Sequence, residues 1–232
     1  PCFFQDVKEN MKTESLKFLI SEIYKDRIGF LFISPNLLFN ENNLIFEKNK
    51  NFFTFHSLAW KSISINLLDN ISKLKNNLKS NLRRDISKKN RSKKYFLKKV
   101  LSSNKFDEFL NNYLYLKKQK NFKGVSINLL KKLYDSKNLL ILNAYINEKV
   151  ASSVCIALHG NTATYLVGLN LDKVNSANDL LLWKALVLLK KNNYKNFDLG
   201  GVDFISNRNV SLFKSNFGGK QYKLVGSKFL VL

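Results

Sequence analysis

Four of the chain's nine glycines stand in one stretch, FDLGGVDFISNRNVSLFKSNFGGK (residues 197–220), as the pairs Gly200–Gly201 and Gly218–Gly219. Asp198 precedes the first pair, and Asp203, Arg208 and Lys214 lie between the two. A lysine, an arginine and two carboxylates beside flexible backbone match what acyl transfer to an amine requires. That reaction needs positioning, a way for the amine to lose its proton, and a positive or N–H partner for a tetrahedral oxyanion. Lys214 can be the positive partner, because Phe213 and Phe217 would hold its stem out of water. Arg208 suits a bidentate clamp on phosphate or carboxylate, or a surface ion pair with Asp203. Asp198 and Asp203 can each accept the amine proton, and no spacing selects between them. The plain alternative is a loop-rich bend in an ordinary sheet, with Gly200 and Gly201 serving only its backbone geometry.

Other chemistries lack their residues. The two histidines, His56 and His159, and the two cysteines, Cys2 and Cys155, have no metal-ligand spacing. No metal site is expected. Cys155 lies mid-strand among apolar residues and reads as a buried structural thiol, and His159 as a residue at a hairpin turn. The sequence has no GxxxxGK[ST], no GxGxxG after a strand and no GxSxG.

The elements that must position these groups follow from periodicity. Residues 13–27 have helical spacing, 28–34 read as a buried strand ended by Pro35, and 51–67 alternate enough for one or two strands. From Asp69 a single helical stripe runs through Ile71, Leu74, Leu78, Leu82 and Ile86. Helices are expected over 106–118 and 126–134, then a meander of strands at 139–146, 150–159 and 162–170. The segment 176–192 opens with Ser176 and Asp179 at capping-box spacing and is apolar nearly all round, so it should be buried on the sheet. Trp183 and Tyr165 read as core. A strand at 196–201, a short helix at 209–217 and a closing hairpin over 220–232 complete the order. That order implies an α/β (α+β) fold with a mixed, largely antiparallel sheet and flanking helices.

The net charge of +22 on 232 residues invites a polyanionic partner, yet only five of the 39 basic residues are arginine. An A/T-rich coding sequence alone would enrich Lys, Asn, Ile and Phe. Local clustering says more. Residues 71–100 hold twelve Lys or Arg and one acid, Asp85, which is either a solvated helix face or a ridge for phosphates. No apolar run reaches membrane-spanning length. The first residues resemble no signal peptide and lack a Met, so the chain reads as a piece of something longer, reduced and cytoplasmic.

Three stretches resemble the Fem (FemABX) family of GNAT-superfamily aminoacyltransferases: NAYINEKVASSVCIALHGNTATYLVGLN, NDLLLWKALVLLKKNNYKNFDLGG and LFKSNFGG. Upstream, GFLFISPNLL, WKSISINLLDN and LKSNLRRDISK resemble the family's first half. The resemblance implies tandem GNAT-like domains, a truncated first over 1–95 with the basic helix and a second, catalytic-type one over 96–232. It implies transfer of an aminoacyl group from aminoacyl-tRNA to an amine of a peptidoglycan or other cell-envelope precursor, lipid-linked or nucleotide-linked, with no tightly bound cofactor.

Lys214 matches the family's FK lysine, and Asp203 joins it as a catalytic candidate. Arg208, Tyr165, Gly200, Gly201 and Phe213 would bind substrate. Arg83, Arg84, Lys88, Lys89, Arg91, Lys93 and Lys94 would bind tRNA. A location at the inner face of the membrane, in peripheral contact, fits such an acceptor. The glycine-rich pyrophosphate loop of acetyl-CoA-dependent relatives is replaced by LDKVNSAND, which weakens acyl-CoA as donor. An acyl-CoA-dependent N-acyltransferase of an envelope sugar, and a non-catalytic RNA- or membrane-surface-binding protein, remain the alternatives.

Overall fold

The computed structural model describes residues 9–25, 30–34, 37–39, 52–55 and 60–231. Cys2, Arg27, Pro35 and His56 lie outside them. The chain forms two compact units, Pro1–Ser62 with Gln221–Leu232, and Ile63–Lys220.

In the first unit, helix α1 (Glu9–Lys25) precedes strands β1 (Phe30–Ile33) and β2 (Phe52–Phe55). The last strand, β10 (Ser227–Val231), lies between them, antiparallel to both. Leu16 and Ile20 of α1 share a small core with Ile33, Leu37 and Val225.

The second sheet is mixed and has seven strands among the described residues. Its strands are β3 (Lys61–Asn66), β4 (Phe96–Lys99), β5 (Leu139–Ile146), β6 (Lys149–His159), β7 (Thr162–Asn170), β8 (Asn196–Gly201) and β9 (Lys220–Lys223). They are ordered β4-β5-β6-β7-β8-β3-β9, with β4 to β7 antiparallel in succession and β7 parallel to β8. The chain passes between the units within β3 and β9.

Alternate residues face opposite sides of this sheet, as strand geometry dictates. Leu140, Leu142 and Ala144 face one core with helices α2 (Ile71–Asn77), α3 (Ser80–Arg91) and α6 (Asn178–Lys191). Ile141 and Cys155 face the other, with α4 (Ser103–Lys120) and α5 (Ile127–Asp135). Helix α7 (Arg208–Ser215) follows β8. No described helix is long and apolar enough to cross a membrane.

The mixed α/β architecture and the β5–β7 meander agree with the periodicity. Three local expectations do not. The stripe from Ile71 to Ile86 is not one helix, because Leu78 is extended (φ −62, ψ 140) and separates α2 from α3. Lys79 N–H donates to Asn216 O at 2.9 Å there, so a tertiary hydrogen bond replaces a helical one. Gly218 (φ +73) seats against the same break, where a Cβ would come within 2.0 Å of Asn77 O. The capping box at Ser176 and Asp179 does not form. Ala177 is the cap residue, without a side-chain hydrogen bond to the helix, and Asp179 turns to Lys89. The closing hairpin is also absent, since β9 and β10 belong to different sheets. Strand β4, exposed on three of its four residues, has too little apolar pattern to be read from sequence.

Candidate active site

Strands β7 and β8 pair only from Thr162↔Asn196 to Thr164↔Asp198, although β7 continues to Asn170 and β8 to Gly201. Just past the last pair, β7 carries a bulge. Tyr165 faces Ile156 and Val167 faces Cys155, leaving Leu166 unopposed. A bulge turns the local side chains and peptide groups out of the regular ladder. Beyond Thr164, therefore, the edge of β7 that faced β8 has no strand partner.

Lys214 enters at this point from the last turn of α7. Its side chain is buried, and Nζ donates to Gly201 O at 2.7 Å and lies 5.8 Å from the centre of the Tyr165 ring. Burial lowers its pKa to about 8, against the opposing pull of Asp198. Such an ammonium is only partly hydrated, still mostly charged at neutral pH, and has N–H groups besides the one held by Gly201. Phe213 and Phe217 meet edge to face at 5.5 Å beside it in sequence, and Phe217 is fully buried.

Gly200 makes the approach possible. It has φ +74, and a Cβ there would stand 2.7 Å from Tyr165 O and 3.4 Å from Lys214 Nζ. Its N–H donates to Asp198 Oδ1 at 2.6 Å. Tyr165 is buried, and burial raises its hydroxyl pKa, with a smaller contribution from Cys155. The hydroxyl seats where Gly168 lacks a side chain, with the Asn178 amide against the same glycine. Asn178 Oδ1 is buried without a hydrogen-bond partner. Asn178 was not among the residues singled out from sequence. It sat in NSAND beside the supposed cap, and only the fold brings it to Tyr165.

The remaining candidates separate. Asp203 is exposed, and its Oδ1 accepts the N–H groups of Ile205 and Ser206, both at 2.9 Å, so it builds a turn. Arg208 is exposed at the start of α7 and forms no ion pair with Asp203. On α3, a recess of about 350 Å³ is lined by Arg83, Arg84, Asp85, Ser87, Lys88 and Arg91. Lys89 is turned inward, bonding both oxygens of Asp179 at 2.7 and 2.8 Å. Lys94 donates to Asn175, Arg84 to Asn81, Arg83 to Asn76 O and Arg91 to Ser87 O. The side chains of Lys88 and Lys93 make no hydrogen bond or ion pair among the described residues. The basic surface is thus Arg83, Arg84, Lys88, Arg91, Lys93 and Lys94, without Lys89, which is consumed by its ion pair. Cys155 is fully buried, and burial pushes its thiol pKa up, which suits an inert thiol.

The lowered pKa of Lys214 makes stability depend on pH. Between pH 8 and 10.5 the folded state binds fewer protons at this group than the unfolded state, so stability rises with pH there. Below about 8 the cost of holding a buried ammonium is complete. Unfolding titrations of wild type and Lys214→Met should therefore diverge. Met should be the more stable at pH 7, and its advantage should shrink as pH climbs toward 10.5. Parallel curves would place Lys214 in water.

The fold is a mixed α/β one, in which adjacent parallel strands stop pairing midway and helices cover both faces of the sheet. FemX is a solved structure with this fold, with a TM-score of 0.78 and 11% identity over 97% of this chain and 78% of FemX. The chain is also similar to L-PGS of Bacillus licheniformis (TM-score 0.53, 13% identity, 94% and 71% covered). The C-terminal domain of an Agrobacterium fabrum protein described as a lysylphosphatidylglycerol synthetase gives a TM-score of 0.54 at 13% identity, over 92% and 65%. No protein-family profile and no curated protein sequence matches the chain. At these identities the likeness establishes the fold.

Proposed function

We propose that the chain is a Fem-type aminoacyltransferase, moving an aminoacyl group from aminoacyl-tRNA to an amine of a cell-envelope precursor. The observation that carries this reading is Lys214, a buried, partly dehydrated ammonium where the β7–β8 ladder ends. The amine nitrogen attacks the ester carbonyl carbon of the charged tRNA, forming the C–N bond. The carbonyl oxygen becomes an oxyanion, which the free N–H groups of Lys214 stabilise. Collapse breaks the ester C–O bond, and the ribose hydroxyl leaves with the proton the amine gives up. Asp198, whose charge reaches Lys214, is the carboxylate suited to pass that proton. Unpaired peptide groups of β7 past Thr164 would hold the amide-rich acceptor in extended form.

The end of α6 favours tRNA over acyl-CoA. A helix N-terminus attracts pyrophosphate, but here the first turn carries Asp179, paired with Lys89 and also accepting the Leu180 N–H. The carboxylate already occupies the attractive field. The basic face of α3 then supplies phosphate contacts.

The test is label transfer from charged tRNA to a panel of amine acceptors, together with binding as a function of salt. Affinity should fall steeply with salt. Replacing Arg84, Lys88, Arg91 and Lys93 by Gln should flatten the log–log slope by about 3, if each residue meets one phosphate. Tight acetyl-CoA binding with salt-indifferent tRNA affinity would replace this reading with the sugar N-acyltransferase.

A further inference from the structure

Val174 and Ile205 are the most exposed large apolar side chains among the described residues, at 90% and 94%. Both are presented by the same device. Asp172 Oδ1 accepts the N–H groups of Val174 and Asn175 at 3.0 Å, as Asp203 Oδ1 accepts those of Ile205 and Ser206 at 2.9 Å. The segments read LDKVN (171–175) and VDFIS (202–206), with the aliphatic residue two places after the aspartate. Each carboxylate satisfies the N–H groups beyond it and holds the turn, so the aliphatic tip stands in water in a preformed loop. Phe204 and Val210, also exposed, flank the second tip.

Topology brings the two turns to one end of the sheet. They follow β7 and β8, which are parallel neighbours. The β5–β6 turn and the start of β4 reach the same end, since Ser152 pairs with Asn170 and Phe96 with Tyr145. That end carries Lys93, Lys94, Lys149, Lys173 and Arg208, all exposed, and the exposed ring of Phe96. Its acids are Glu148, Asp172 and Asp203, and the last two are occupied by their own turns. A recess of about 600 Å³ opens between the β5–β6 turn and Asn175, lined in part by Lys149, Lys173 and Asp172.

We propose that this end of the sheet docks on an anionic lipid bilayer, with Val174 and Ile205 entering the acyl-chain boundary and the lysines facing lipid phosphates. Aliphatic tips ringed by basic residues match both layers of such a surface, hydrocarbon below and phosphate above. RNA would answer the charges but offers no hydrocarbon to Val174 and Ile205. The preformed turns avoid an ordering cost on insertion. Docking would also bring the end of the β7–β8 ladder, where Lys214 lies, to the lipid surface.

The experiment is flotation of the chain with vesicles of phosphatidylcholine, with and without phosphatidylglycerol. It reads binding alone, so it stands or falls apart from any transfer activity. The chain should float with the anionic vesicles and far less with the neutral ones. The double variant Val174→Ser, Ile205→Ser should weaken that partition by roughly tenfold with unchanged thermal unfolding. Lys149→Gln with Lys173→Gln should remove the preference for phosphatidylglycerol. The proposal is overturned if anionic vesicles leave the chain behind, or if the tip variant floats like wild type. It is equally overturned if the lysine variant loses affinity for an RNA oligonucleotide while vesicle binding is untouched.

Discussion

Lys214→Met should lower kcat by roughly 10²–10³-fold, the usual loss for one oxyanion donor, while donor binding stays near wild type. Methionine keeps an apolar stem of similar length in the buried slot beside Tyr165 and Gly200, so packing is conserved. What disappears is the charge at the end of the β7–β8 ladder and its hydrogen bond to Gly201 O. Because the oxyanion exists only after attack, the loss should appear in kcat and kcat/KM together and leave KM little changed. The ammonium is the working form, so wild-type turnover should carry a falling limb above pH 8 that the variant lacks. Steady-state label transfer across pH measures both effects. Turnover close to wild type, with the limb intact, would return Lys214 to a structural role as the tie between α7 and β8.

Trp183→Ala should destabilise the protein by about 3–5 kcal/mol, the usual cost of emptying a large aromatic site in a core. Trp183 is buried on α6, in the cluster formed with α2, α3 and one face of the sheet. The helix is apolar on almost every side because it is enclosed on almost every side. Leu180, Leu181, Leu182, Ala185, Leu186 and Leu189 are all buried. Few residues nearby can move to fill the void. Thermal unfolding should shift by roughly 6–20 °C for a chain of this size. A variant that melts like wild type would mean that α6 does not pack where the structure puts it.

Both predictions rest on residues that stood out in the sequence, and the reasons are local. The strands β5, β6 and β7 are short, largely apolar runs separated by Asn and Gly at turn positions, signals that need no distant partner. Helix α6 could be read because a run as apolar as residues 180–189, broken only by Lys184, must be largely buried. Lys214 was visible through FK and FGG at their spacing after DLGG, and the structure brings it to Gly200, Gly201 and Tyr165.

Other features depended on contacts between residues far apart in the chain. The stripe Ile71–Ile86 has the spacing of one helix, but Asn216 and Gly218 meet the chain at Asn77 to Lys79 and break it. Asp179 has the spacing of a cap, yet a lysine ninety positions earlier offers a full charge, a stronger partner than a backbone N–H. Lys89 was indistinguishable from its neighbours in a run of lysines until that pairing removed it from the basic surface. The separation of β9 and β10 into two sheets was equally illegible. A strand's apolar pattern states which face it buries, while the neighbour it pairs with is settled by the edges left open elsewhere. Periodicity and turn chemistry therefore determined the elements and pointed to Lys214. Only the tertiary structure decided where helices break, which charges are consumed internally and where the β7–β8 ladder ends, because each of these is a competition between local hydrogen bonds and partners supplied by distant segments.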